Sequence, residues 1–132
     1  MKIAVLGTGM VGQTIASKLV TLGHHVIMGS RTADNANATE WANSVGGLNG
    51  TFEDAAKSSD LIFNCTLGMS TIKALEMAGE KNLAGKVLID LSNALDLSQG
   101  FPPTLGVANT DSLGERIQRR FPDARVVKTL NT

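Results

Sequence analysis

Met1-Lys2-Ile3-Ala4-Val5-Leu6-Gly7-Thr8-Gly9-Met10-Val11-Gly12 is an apolar run that passes directly into a G-x-G-x-x-G motif. With 14 glycines in 132 residues such a triplet can arise by chance, so its meaning rests on its flanks. Ile3 to Leu6 is short, apolar and partly β-branched, the composition of a buried strand. Beyond the glycines, Val11, Ile15, Leu19 and Leu22 recur at steps of four, four and three, which lays an apolar stripe along a helix. Strand, glycine turn and helix in that order form the context in which this motif holds a dinucleotide. Gly7 is expected to make the tight turn, Gly9 to let the backbone approach a pyrophosphate, and Gly12 to bring the helix close to the sheet. Unpaired N–H groups and partial positive charge at the helix start suit phosphate. Gly7, Thr8, Gly9, Met10, Val11 and Gly12 are therefore candidate cofactor-binding residues.

The second signal lies about 20 residues further on, where such folds meet the adenosine ribose. His25 to Met28 reads as a strand, and it runs into Gly29-Ser30-Arg31-Thr32. An NAD site places Asp or Glu here to accept from the ribose 2′-hydroxyl. The first acid in this region is Asp34, past the contact point, and Ser30 and Arg31 stand in its place. A guanidinium offers five donors suited to bidentate phosphate pairing. Ser30, Arg31 and Thr32 thus point to the 2′-phosphate of NADP. Arg31 is the only Lys or Arg between Lys18 and Lys57, so the pocket has little other positive charge.

Twelve basic and twelve acidic residues give a formal net charge of zero, which makes no electrostatic case for nucleic acid or membrane partners. No apolar run approaches the roughly 18 residues that span a bilayer. The apolar run after Lys2 is too short for a signal peptide. One cysteine permits no intrachain disulfide, and no Cys/His cluster has metal-ligand spacing. The expected location is the cytoplasm and the expected metal content is none.

Strand and helix patterns alternate along the rest of the chain. Ala38, Ala42 and Val45 share a helical stripe with Trp41 beside it. Thr51-Phe52 is expected to close a third strand, followed by a helical segment from Glu53 to Ser58. Asp60 to Cys65 reads as the fourth strand, Thr71 to Ala78 as a helix capped by Ser70, and Lys86 to Leu91 as the fifth strand. A loop holds Gly100, Pro102, Pro103 and Gly106. Leu113, Ile117 and Phe121 then mark a helix that Pro122 stops, and Arg125 to Leu130 is the sixth strand. This predicts an α/β fold, a doubly wound parallel six-stranded sheet of Rossmann NAD(P)-binding type in the order 3-2-1-4-5-6. Ligand is expected at the carboxyl ends of the strands, so Cys65, Thr66 and Leu67, after the fourth strand, are expected beside the nicotinamide half of the cofactor. Asp90 is expected to face the same crevice, whereas His24 and His25 lie at the opposite strand ends. Residues 1–132 are expected to be a single domain.

The pairing of Gly7-Thr8-Gly9-Met10-Val11-Gly12 with Gly29-Ser30-Arg31 resembles the NADP reductases that use the deazaflavin coenzyme F420. The resemblance extends to Ala84-Gly85-Lys86-Val87 leading to Asp90-Leu91-Ser92-Asn93, to Phe121-Pro122-Asp123-Ala124-Arg125-Val126-Val127-Lys128 and to Leu130-Asn131-Thr132. The same pattern occurs in the reductase domain of six-transmembrane ferric reductases. Ala94 stands where the family usually has proline, and Thr129-Leu130 replaces its usual small-residue–phenylalanine pair. The resemblance implies hydride transfer between NADP(H) and a second small redox cofactor or substrate, coenzyme F420 being the first choice. It implies Asn93 and Asn131 as further cofactor contacts. It also implies a C-terminal region beyond Asn131-Thr132 that completes the substrate pocket and a homodimer contact, so this chain is expected to be the nucleotide domain without it. No catalytic side chain is expected, because transfer between two bound cofactors mainly requires their alignment. Imine, pyrroline-carboxylate and ferric reductases, and a nonenzymatic NADP-binding redox sensor, stay open as alternatives.

Overall fold

A computed structural model describes residues 1–67, 70–91, 95–96, 104–105 and 113–128. Ile3, Ala4, Val5 and Leu6 are each at most 2% exposed, which is how a central strand of a sheet covered on both faces must read. This strand is β1 (Lys2–Leu6), and it is followed by α1 (Met10–Thr21), β2 (His25–Ser30), α2 (Ala36–Val45), β3 (Leu48–Thr51) and α3 (Phe52–Lys57). The chain continues through β4 (Leu61–Asn64), α4 (Thr71–Ala78), α5 (Glu80–Leu83) and β5 (Val87–Asp90). A short antiparallel pair, β6 (Leu95–Asp96) with β7 (Thr104–Leu105), precedes α6 (Leu113–Arg120) and β8 (Arg125–Lys128). Six strands form one parallel sheet in the order β3-β2-β1-β4-β5-β8. That is the doubly wound α/β order expected from the sequence.

Alternation along β1 splits the core in two. Ala4 and Leu6 join Ile62, Leu88 and the apolar sides of α3, α4, α5 and α6, with Phe52, Leu75, Leu83, Ile117 and Phe121 all buried. Val5 joins Val26, Met28, Ala38, Trp41 and Ala42 under α1 and α2 on the other face. Trp41 is 4% exposed and its indole Nε1–H donates to Ser17 Oγ at 3.0 Å, so the one large aromatic joining α1 to α2 also has its polar atom satisfied.

Several boundaries differ from the sequence reading. The stripe on α1 is rotated: Val11 and Leu22 are exposed at 53% and 60%, and the face on the sheet is Gly12, Ile15, Ala16 and Leu19. Gly12 lets the helix approach closely, as expected, and the small Ala16 joins Ile15 and Leu19 in the contact. Phe52 does not close β3 but opens α3. Thr51 is the N-cap: its hydroxyl accepts from Asp54 N–H, and the Asp54 carboxylate accepts from Thr51 N–H, a capping box. Such reciprocal satisfaction of orphan donors outweighs the strand propensity of phenylalanine. The β6–β7 pair lies in what the glycines and prolines mark as loop, and two-residue ladders are too short to show a period. The described part of the sixth strand is Arg125–Lys128.

Candidate dinucleotide-binding site

Parallel register aligns the carboxyl ends of the central strands: Leu6 lies opposite Gly29 of β2 and opposite Asn64 of β4, and Asn64 opposite Asp90 of β5. The chain order reverses between β1 and β4, so the loops after β1, β2 and β4 diverge and leave a crevice between them. A cleft of about 420 Å³ lies there, lined by Gly7, Thr8, Gly9, Ser30, Arg31, Asn35, Phe52, Cys65, Thr66, Leu67 and Ser70. Eight of the residues singled out from sequence meet in this one cleft. His25 begins β2, at the opposite end of the strands from the cleft.

The three glycines differ in what confines them. Gly7 has φ +120°, which side chains rarely adopt, and a Cβ there would lie 2.7 Å from the Cys65 carbonyl oxygen. A Cβ on Gly12 would lie 2.5 Å from the Gly7 carbonyl oxygen and 3.6 Å from Cys65 Cβ, so α1 can sit this close to the turn only without a side chain. Gly9 is in extended backbone, and a Cβ there would meet no atom within 4 Å. The space in front of Gly9 is therefore not filled by any of the described residues. Gln13 Nε2 donates to the Thr8 carbonyl at 2.9 Å and braces the turn from the helix side.

Gly9 is the N-cap of α1, no side chain caps this helix, and no acid stands in its first turn. Its neighbours are closed: Asn35 caps α2 by accepting from Ala38 N–H at 3.0 Å, and the Thr51–Asp54 box caps α3. An open first turn facing the cleft fits an anion. Met10 and Val11 are its first two residues, with side chains exposed, so backbone N–H is what they offer. Ser30 is 4% exposed and its hydroxyl donates to the Thr32 carbonyl at 2.6 Å. That proton is engaged by the Thr32 carbonyl, which closes the 30–32 bend that carries Arg31. Thr32 contributes the accepting carbonyl and is otherwise exposed. Arg31 is exposed, it is the one charged group among the described residues that line the cleft, and no carboxylate of the described residues pairs with it. Pyrophosphate on the α1 start and a further phosphate on Arg31 are what this donor set can hold.

Cys65, Thr66 and Leu67 form the opposite wall. Burial pushes the Cys65 thiol up to about 12, with the Asp90 charge adding to the effect. A thiol held protonated is a poor nucleophile. Iodoacetamide at pH 8 is expected to leave the folded chain unlabelled and to modify Cys65 once denaturant is added; labelling of the native chain at the unfolded rate would contradict this environment. Because the folded value exceeds the ordinary 9.0, the stabilisation that goes with it is complete below about pH 9 and is lost as pH rises toward 12. Asp90 departs from expectation: it is fully buried behind the wall and does not line the cleft. Asn93 and Asn131 lie outside the described residues. Asn35, Phe52 and Ser70 are further lining residues that the sequence did not mark as such; Ser70 is the N-cap of α4 by position, but its hydroxyl donates to the Leu67 carbonyl at 3.1 Å and caps no helix N–H. Asn35 is legible afterwards as a cap before an alanine-rich helix, and Phe52 enters the lining because the capping box turns it out of β3.

A protein-family model for "NADP oxidoreductase coenzyme F420-dependent" matches residues 2–94. The chain belongs to this family. The solved structure of a provisionally assigned F420-dependent NADP reductase from an Arthrobacter species is 51% identical and superposes with a TM-score of 0.93, over 100% of this chain and 63% of its own. An uncharacterized oxidoreductase of Shewanella frigidimarina is 33% identical over 70% of this chain, and the metalloreductase STEAP3 of Rattus norvegicus is 30% identical over 98% of it. The chain spans 33% and 24% of the lengths of those two relatives. An imine reductase of Streptomyces aurantiacus, 23% identical over 97% of this chain and 40% of its own with a TM-score of 0.70, shares the fold. Family members of this kind are NADP-dependent oxidoreductases. Among the described residues no helix is long and apolar enough to cross a membrane, and no group of three or more His, Cys, Asp or Glu is placed to hold a metal.

Proposed function

We propose that residues 1–132 form one NADP(H)-binding domain and that the protein transfers hydride between NADP(H) and the deazaflavin coenzyme F420. One observation carries the cofactor choice: among the described residues the cleft joins an uncapped helix start to an arginine that no carboxylate pairs, and its lining holds no acid to receive a ribose 2′-hydroxyl. On this reading Gly9, Met10 and Val11 N–H groups hold the pyrophosphate, Arg31 the 2′-phosphate, and Cys65, Thr66 and Leu67 flank the nicotinamide half. When bound, NADP(H) supplies a nicotinamide ring that accepts or donates hydride. The chain's own residues bind and orient, and no acid–base group is required of them. The family match and the 51% likeness to the Arthrobacter reductase support deazaflavin as the partner. The likeness to a metalloreductase over 98% of the chain supports a second reading, in which another acceptor takes the electrons.

Titration of the purified chain with NADPH, NADH and oxidised and reduced deazaflavin tests both parts. NADPH is expected to bind more tightly than NADH. Hydride transfer also needs a second ring with reacting carbons about 3–3.5 Å from the nicotinamide. The test of the acceptor is therefore rapid mixing of the NADPH complex with oxidised deazaflavin. Turnover at ordinary enzyme rates, roughly 1–1000 per second, assigns deazaflavin to this chain; binding of NADPH with slow or no turnover leaves cofactor binding as the function of residues 1–132 by themselves.

A further inference from the structure

Behind the wall opposite Arg31 lies a polar cluster inside the core: Asn64, Thr71 and Asp90 are each 0% exposed. Asn64 stands at its centre. Its Nδ2 donates to Asp90 Oδ1 at 2.9 Å and to Thr71 Oγ1 at 3.4 Å. Its Oδ1 accepts from the Thr66 hydroxyl at 2.7 Å and from Thr66 N–H at 3.4 Å. Thr66 Oγ1 lies 2.8 Å from Thr71 Oγ1, and Thr71 Oγ1 donates to the Leu67 carbonyl at 3.1 Å. The strand end of β5 and the first residue of α4 are thus tied to two residues that line the cleft: the Asn64 amide reaches Thr66, and Thr71, bonded to that amide, reaches Leu67.

Burying this many polar groups is costly unless each is matched, and a hydrophobic residue at Asn64 would pack more simply. What the amide adds is direction, because each of its atoms has a defined partner. We infer that Asn64 is a positioning residue for the nicotinamide half of the dinucleotide, acting through Thr66 and Leu67. The inference rests on the reading that the cleft takes NADP(H). The β2 side of the crevice, with Arg31, receives the adenosine half, so the β4 side is left for the other half. A wall held by hydrogen bonds keeps its shape before the ligand arrives, whereas an apolar substitute would let the 65–67 segment choose among conformations.

The test compares two ligands that differ by that half: NADPH and adenosine 2′,5′-bisphosphate. Asn64→Leu is expected to weaken NADPH about tenfold, the scale of one hydrogen bond lost in the complex, and to leave the bisphosphate within about twofold. Thr71→Val removes one member of the cluster and is expected to act in the same sense; it stands in if Asn64→Leu fails to fold. Thr71→Ser keeps the hydroxyl and is expected to restore NADPH affinity. Melting temperature is followed in parallel. Equal losses for both ligands, or an unchanged affinity for NADPH in a folded variant, would overturn the positioning role. Failure of the unsubstituted chain to bind either ligand overturns the dinucleotide reading itself, and the inference with it.

Discussion

Gly9→Val is expected to fold normally and to lose NADPH binding, with affinity down on the order of 100-fold or more, about 2.8 kcal/mol. The fold tolerates the change because φ −79° and ψ −172° are open to any residue and a Cβ there meets nothing within 4 Å. The same emptiness is what the ligand needs. A branched side chain at Gly9 projects over the unpaired N–H groups of the first turn of α1 and excludes a phosphate from them. Gly12→Val provides the contrast, since its Cβ would lie 2.5 Å from a backbone oxygen that cannot swing aside. That variant is expected to be destabilised by about 1–3 kcal/mol or more through overpacking. Calorimetric titration with circular dichroism separates the two effects. Wild-type NADPH affinity in Gly9→Val with an unchanged spectrum would place the phosphates elsewhere.

Arg31→Ala is expected to weaken NADPH by about 1.5–3 kcal/mol, the scale of charge-assisted hydrogen bonds, and to leave NADH nearly unchanged. The loss falls on one cofactor because only NADP carries the 2′-phosphate. Arg31 is exposed and makes no ion pair with the described carboxylates, so its removal strands no buried charge and stability is expected to hold. The preference for NADPH is also expected to shrink as salt is raised, since an exposed pair is screened. Equal losses for NADPH and NADH would show that Arg31 acts on the pyrophosphate or on the fold.

The parts of this molecule that were legible from sequence are those whose cause is local. Ile3 to Leu6, Gly7 to Gly12 and the helix behind them declare themselves because strand burial, a left-handed turn and helical spacing each leave a pattern within a few residues. Arg31 was legible for the same reason, through its distance from the glycines. Sequence by itself therefore determined the sheet order, the glycine turn at the head of the cleft and the place of the arginine. On α1 it placed Ile15, Leu19 and Gly12 on the packed face but also Val11 and Leu22, which are exposed, and it missed Ala16, which packs by being small. It expected Ser30 as a phosphate donor, and its hydroxyl proton is bound to the Thr32 carbonyl instead. Only the tertiary structure decided what stands behind the second wall of the cleft. Asn64, Thr71 and Asp90 are single polar residues in apolar surroundings, and the register of β4 with β5 brings Asn64 to Asp90 across 26 positions of chain. Hydrogen bonds between residues that far apart leave no period or spacing to read, since their geometry exists only once the strands have paired.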